Sequence, residues 1–340
     1  MRTGLHLVSH RVDPSADIAR LVADVTADAL LAESLGFDVV MLGHHYLSGA
    51  PLLQPIPLAA HLAAHTRTVR IGFGVLLLPL LAPVAVAEEL ATLDQLSGGR
   101  LVVGIGAGYR PVEFDAMGLR FADRYRRIET GVAVLRRLWS GEPVVVSRAD
   151  GGEEAVRSAI RPRQPGGPPL WLGAKTSRGI RRAVDLGVSW VALTGRGERH
   201  LTECAASWRG FPRPTGEAMP GERPIIADTY VAHDGSRALE RARRYARRPR
   251  GSAEPDPDPV LADRWLVGSP SQILERVTRW RDELGFTQVV FRLDWPGAER
   301  AEVIEGIELL GKQVLSALSG APPAQEDVRP YRDSNAGPTA

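Results

Sequence analysis

Four short segments hold the side chains and backbone best able to do chemistry. Gly43-His44-His45-Tyr46 follows the apolar run Val39 to Leu42. An imidazole where a buried strand ends can give or take a proton near neutral pH, although histidines also serve as plain loop or structural residues. His44 is the catalytic candidate, and His45 and Tyr46 are candidate substrate contacts. His61 and His65 stand four apart, as in a zinc helix, but Leu62 occupies the place of the glutamate that such a helix needs, so no metal is expected. Gly104-Ile105-Gly106-Ala107-Gly108-Tyr109-Arg110 is not the dinucleotide fingerprint, because Tyr109 stands where the third glycine belongs. Gly106 and Gly108 could still let backbone approach a flat ligand, or could simply make a tight turn. Arg110, at the end of this segment, is a further candidate substrate contact. Gly173-Ala174-Lys175-Thr176-Ser177-Arg178 places small and hydroxyl residues where a strand gives way to a helix. Ala174, Lys175, Thr176 and Ser177 could seat an anion on free N–H groups, or Thr176 or Ser177 could be an ordinary helix cap.

Two single residues complete the inventory. His10, just past the first strand, either touches substrate or faces solvent. Cys204 is the only cysteine, which excludes an internal disulfide and a cysteine zinc cluster. With no histidine recognised beside it, it is expected to be inert.

These segments need elements to position them. Apolar runs fit strands over Gly4 to Ser9, Val39 to Leu42, Val69 to Leu78, Leu101 to Ile105, Leu170 to Leu172, Trp190 to Leu193, Ile225 to Val231 and Gln288 to Leu293. Between most of them apolar residues recur at three- and four-residue steps. That spacing predicts helices over Asp17 to Leu35, Pro57 to His65, Pro83 to about Gly98, Arg124 to Trp139, Ser177 to Leu186, Gly235 to Ala246, Ser271 to Leu284 and Ala298 to Leu315. Strands apolar on both faces and separated by helices imply a parallel sheet. Eight such units predict an α/β fold, a closed (β/α)8 TIM barrel with insertion loops. Arg148 to Pro169, Phe211 to Pro224 and Arg247 to Pro259 break the rhythm as insertions or lids, and Glu254 to Pro259 should be neither helix nor strand. A single barrel domain over 1–318 and a disordered tail over 319–340 are expected.

Composition narrows the function. A chain of 340 residues with 44% hydrophobic content can bury a large core. A formal charge of +2 calls for neither nucleic acid nor an anionic membrane. All but two of the 42 basic residues are arginine, a bias of genome composition rather than of function. There is no signal-peptide core and no span of ~18 apolar residues, so a cytoplasmic protein is expected.

Read together, these segments resemble the luciferase-like flavin monooxygenase family, from Gly4 to about Leu315. The most specific stretch runs from Arg70-Ile71-Gly72-Phe73-Gly74-Val75-Leu76-Leu77-Leu78-Pro79 through Pro83-Val84-Ala85-Val86-Ala87-Glu88-Glu89 to Leu93-Asp94-Gln95-Leu96-Ser97-Gly98-Gly99-Arg100. Gly106 to Phe114, Leu170 to Ala174 and Val267-Gly268-Ser269-Pro270 also follow the family pattern. The resemblance implies a barrel, usually dimeric, that binds reduced FMN or deazaflavin F420. It places His44 as the proton-handling histidine, Gly74-Val75 as a cis-bonded bulge beneath the flavin ring, Gly106 to Tyr109 beside the ring, and Ala174 to Ser177 at the phosphate. The implied activity is oxygenation of a small organic substrate with O2 and FMN reduced by a separate flavin reductase. The alternatives are hydride transfer by an F420-dependent dehydrogenase or reductase, and a non-catalytic flavin-binding protein. The family often carries Glu before the two histidines, where this chain has Gly43.

Overall fold

The computed structural model describes residues 1–10, 13–212, 221–245, 258–293, 295 and 297–319. Eight parallel strands close into a barrel: β1 (Arg2–His6), β2 (Val39–Leu42), β3 (Arg70–Leu76), β4 (Leu101–Ile105), β5 (Leu170–Gly173), β6 (Ser189–Leu193), β7 (Pro224–Val231) and β8 (Gln288–Arg292). Each pairs with the next, and β8 pairs with β1, Arg2 opposite Gln288 and His6 opposite Arg292. All eight strands lie where the apolar runs predict them.

The pleat sorts each strand's residues onto two faces. Val40, Leu42, Ile71, Phe73, Leu101, Val103 and Ile105 point outward and pack under the helices. Val39, Met41, Val102, Trp171, Val191, Ile226 and Val290 point inward and fill the barrel as a buried plug. Below the plug Arg70 donates to Glu222 at 3.0 Å and to Gln288 at 3.1 Å, and the Trp171 indole donates to Glu222 at 2.8 Å. The N-terminal end is thereby closed by a polar network, and ligand chemistry is left to the C-terminal end.

The helices that matter for the site are α1 (Ile18–Ser34), α2 (Pro55–His65), α3 (Pro83–Leu96), α4 (Pro111–Ala116), α5 (Arg124–Ser140), α6 (Ser177–Asp185) and α7 (Glu198–Gly210). Two of these, α4 and α7, are absent from the sequence reading. The Gly197 cap of α7 sits at φ 86° and offers no side chain to the first turn, so α7 lacks a start signal, although Leu201, Cys204, Ala205 and Trp208 mark its buried stripe. Two stretches read as irregular contain regular structure. An exposed antiparallel hairpin joins Val144–Ser147 to Glu153–Val156. Asp258 and Pro259 open a helix, Asp258–Arg264, because proline is tolerated in the first turn. The remainder of Glu254 to Pro259, and the tail from Gly320, lie outside the described residues, while Ser319, expected in the tail, ends a short helix, Ser316–Ser319.

Candidate active site

The site is built on an irregularity in β3. The Gly74–Val75 peptide is cis, as the resemblance implies, and pairing with β4 shifts register between Phe73 and Leu76. Val75 is left among three glycines. A Cβ on Gly104 would stand 2.1 Å from the Phe73 carbonyl oxygen, one on Gly106 would stand 2.3 Å from Val75 Cγ2, and one on Gly173 would stand 3.4 Å from Val75 Cγ1. Gly104 and Gly106 are therefore required by contact with the bulge. Gly108 serves a turn, at φ 73°.

His44 lies just beyond β2 and is only 4% exposed. Its Nδ1 accepts the Leu77 backbone N–H at 3.0 Å, its ring meets Tyr46 edge-on at 4.7 Å, and its Nε2 has no partner among the described residues. Leu77, Leu80 and Phe114, with Tyr46 and Val75 packed against them, form an apolar cluster at this end of the barrel. Burial first, and the neighbouring His45 second, push the imidazole down to about 4, against an opposing contribution from Gln54.

This depressed value has a measurable consequence. Between the ordinary value of 6.5 and about 4, the unfolded chain binds a proton that the folded chain refuses. His44 thus favours folding fully above pH 6.5, and that advantage disappears as pH falls toward 4. At about 1.4 kcal/mol per unit, the wild type should lose roughly 3 kcal/mol relative to His44→Gln over this interval. Urea midpoints of the two proteins that stay parallel from pH 7 to 4 would contradict it.

His45 turns the other way. Its Nδ1 lies 3.0 Å from Glu113 Oε1, and the Tyr46 backbone N–H donates to the same oxygen at 2.9 Å. Arg110 donates to the Tyr46 carbonyl at 2.7 Å, to the Leu47 carbonyl at 2.8 Å and to Glu113 at 3.3 Å. The fully buried Glu113, on α4, is thus the peg of a clamp holding the loop that carries His44, and the guanidinium of Arg110 is spent on that loop. Tyr109 is largely exposed and meets His45 edge-on at 5.3 Å.

Ala174 to Ser177 follows Gly173, which touches Val75, so this segment opens on the same end of the barrel. Thr176 caps α6, accepting from the Gly179 N–H at 3.2 Å. The Trp190 indole donates to the Ala174 carbonyl and His200 donates to the Lys175 carbonyl, both at 3.0 Å, which braces the turn. His200 also corrects the reading of Cys204. A histidine does stand beside it, 3.5 Å from the sulfur and four residues earlier on α7. Because the His200 Nε2 hydrogen already serves Lys175, that nitrogen cannot take the thiol proton, and burial raises the thiol further.

The structure brings together His44, His45, Tyr46, Gly74, Val75, Gly106, Gly108, Tyr109 and Arg110, and sets the Ala174 to Ser177 turn next to them. His10 is not among them. It bridges Leu52 and lines a separate cleft of about 480 Å³ with Asp24, Asp28, Trp295 and Arg300. His61 binds Thr26 of α1 at 2.9 Å and has no place in the site.

Three inward residues escape the sequence reading. His6 donates from Nε2 to the Gly74 carbonyl at 3.0 Å and lies beside Gly43, whose Cβ would stand 3.4 Å from His6 Cε1. On the neighbouring β8, Arg292 grips Asp228 of β7, the next strand round, through two contacts of 2.6 Å. The available signal was parity: His6 shares a face with Gly4, Arg292 with Val290, and Asp228 with Ile226. Among the described residues no helix is long and apolar enough to cross a membrane.

The profile of the luciferase-like monooxygenase family matches residues 1–288. A 4-hydroxyprotoasukamycin monooxygenase from Streptomyces nodosus subsp. asukaensis is 33% identical over 190 residues, covering 54% of this chain and 51% of that protein. An F420-dependent glucose-6-phosphate dehydrogenase from Beutenbergia cavernae is 30% identical over 234 residues, covering 65% of this chain and 68% of that one. The match thus spans about half the length of the first relative. The FMN complex of the oxygenating constituent of 3,6-diketocamphane monooxygenase from Pseudomonas putida shares the fold, with a TM-score of 0.73 at 18% identity over 92% of this chain and 98% of that one. By its matched profile and its barrel, the chain belongs to the luciferase-like monooxygenase family of oxidoreductases.

Proposed function

We propose that this protein is a flavin-dependent monooxygenase that uses reduced FMN from a separate flavin reductase and O2 to oxygenate a small organic substrate. The observation that carries the reading is the orphaned Nε2 of buried His44 beside an apolar wall, a polar atom awaiting a ligand. The residues present fit a flavin. Val75 and Gly106 to Tyr109 would meet the ring, and Ala174 to Ser177 would meet the phosphate at a capped helix start. Bound reduced flavin would supply the electrons that activate oxygen. The chain's own share is to orient the ring, exclude water with Leu77, Leu80 and Phe114, and present His44 to the reacting edge. A homodimer, and a cytoplasmic location, belong to the same reading.

The second reading, F420-dependent hydride transfer without oxygen, is favoured by the 30% identity to the F420-dependent relative. A non-catalytic flavin-binding protein is the third, kept in view by Gly43. Fluorescence titration with FMN and with F420 separates the first two: tight FMN and weak F420 supports the monooxygenase, and the reverse overturns it. For the third, FMN binding without any substrate oxygenation by reduced FMN and O2 would be the signature.

The phosphate seat has its own test. Thr176→Glu puts a negative charge at the start of α6, against the phosphate. Two like charges about 4 Å apart at an effective dielectric of 20 repel by about 4 kcal/mol, which screening at this exposed turn reduces. Cofactor affinity should fall at least about tenfold, while loss of the Thr176 cap on its own costs only about 1 kcal/mol of stability. Equal affinity in the variant would remove the seat.

A further inference from the structure

We propose that His44 works as a neutral hydrogen-bond donor of fixed tautomer, locked by the Leu77 backbone N–H, and not as a base that cycles its charge. The identity of what lies opposite Nε2 rests on the flavin reading above. The tautomer does not.

The argument begins with an inflexible group. A backbone N–H only donates, so the Leu77 amide at 3.0 Å obliges His44 Nδ1 to present its lone pair. The single hydrogen of the neutral ring therefore sits on Nε2, the atom with no partner among the described residues. Protonating Nδ1 would set two N–H groups face to face and leave both unsatisfied in a buried place. Leu77 cannot turn aside, because it is 3% exposed and its carbonyl accepts from Leu80.

The surroundings offer an imidazolium no counter-charge, and only the neutral side chain of Gln54 favours it. From its own loop, Tyr46 gives a ring edge and His45 gives a second titratable ring of the same charge type. The side chain of Gln54, just before α2, is the polar group that faces it, and it is neutral. The Glu113 carboxylate on α4 spends Oε1 on His45, on the Tyr46 N–H and on Arg110, its buried Oε2 has no partner among the described residues, and no hydrogen bond links it to His44. Glu89 on α3 bears on Tyr46. At residue 43 there is glycine, so no carboxylate precedes the ring, and the histidine beside that glycine, His6, directs its own Nε2 hydrogen to Gly74.

A neutral imidazole N–H in an apolar wall is a preorganised donor for oxygen that gains negative charge. The geometry thus points to a ligand that offers a carbonyl or a developing oxyanion to Nε2. A substrate reacting at an unactivated C–H bond would make no use of it.

The test uses the 15N-labelled full chain without flavin. Long-range 1H–15N correlation reports the tautomer, with His44 assigned by the spectrum of His44→Gln. An Nε2–H tautomer that persists unchanged from pH 5.5 to 9 is the expected result. An Nδ1–H tautomer, or a titration midpoint near 6.5, would overturn the proposal. Turnover with FMNH2 gives a second, independent readout. Glutamine can present an amide N–H where Nε2 stood, so His44→Gln should stay within about tenfold of wild type while His44→Ala falls about 10²-fold or more. Equal loss in the two variants, with a wild-type rate that follows a single ionisation near 6.5, would instead make His44 an acid–base group. Failure of FMN to bind the wild type would sink the flavin reading and leave the NMR result standing.

Discussion

Gly104→Ala should destabilise the protein by about 3 kcal/mol or more, the largest stability effect expected of a single added methyl group here, and on the proposed flavin reading it should also abolish flavin retention. The new Cβ would stand 2.1 Å from the Phe73 carbonyl oxygen, far inside van der Waals contact. That oxygen belongs to backbone, and Phe73 is itself fully buried and paired with Val103 of β4. Neither strand can yield without breaking the ladder that carries the bulge. Overpacking a core commonly costs 1–3 kcal/mol and more when backbone must move, against a total stability of about 5–15 kcal/mol. Gly106→Ala supplies a graded comparison. Its Cβ would fall 2.3 Å from Val75 Cγ2, a side-chain atom that can rotate, so the loss should be smaller while the surface offered to the flavin changes. Gly43→Ala meets its nearest neighbour at 3.4 Å and should be tolerated. Urea unfolding of the three variants should rank them in that order. A Gly104→Ala protein as stable as wild type would mean that β3 and β4 do not approach as described.

Much of this architecture could be read from local pattern, for a physical reason. Strands of a closed parallel barrel are buried on both faces, so each reads as an uninterrupted apolar run, and all eight stand where those runs lie. Helices with a proline start and a glycine stop were equally visible, as with α3, which begins at Pro83 and ends just before Gly98. What stayed hidden depends on contacts between distant segments. Glu113 looks like a surface residue on a polar turn, yet it is fully buried because residues 45, 46 and 110 converge on it. His6 lies in a strand whose neighbours are Leu5 and Leu7, and only the closure of β1 onto β2 and β3 sets it against Gly43 and Gly74. Arg110 read as a ligand contact because it follows a glycine-rich turn, whereas its donors serve the loop carbonyls. Spacing told which residues share an end of the barrel. It did not tell which polar groups were already satisfied there, and that distinction separates Arg110 from His44.

On the proposed FMN-dependent reading, His44→Ala should retain the fold and most FMN affinity while turnover falls by about 10²–10⁴-fold, the range spanned by loss of a positioned donor or of a proton-transfer group. Deleting the ring removes the Nε2–H from the site and leaves the Leu77 N–H without its acceptor, a loss of about 1–3 kcal/mol unless water enters the gap. Product formation should therefore drop much further than stability does. His45→Ala is the internal control, because the two rings leave the chain in different directions. Its loss takes one partner from Glu113 but spares the Tyr46 N–H and Arg110, so the loop should loosen and the melting temperature should fall. Turnover per folded molecule should change less than tenfold. The decisive comparison is the ratio of turnover loss to stability loss in the two variants, measured with one reductant, one substrate and bound flavin quantified in each. A His44→Ala protein with full activity would remove His44 from the chemistry. Equal ratios for the two variants would reduce both histidines to props of the same loop, and the reacting group would have to be sought among His6, Asp228 and Arg292 on the inner rim.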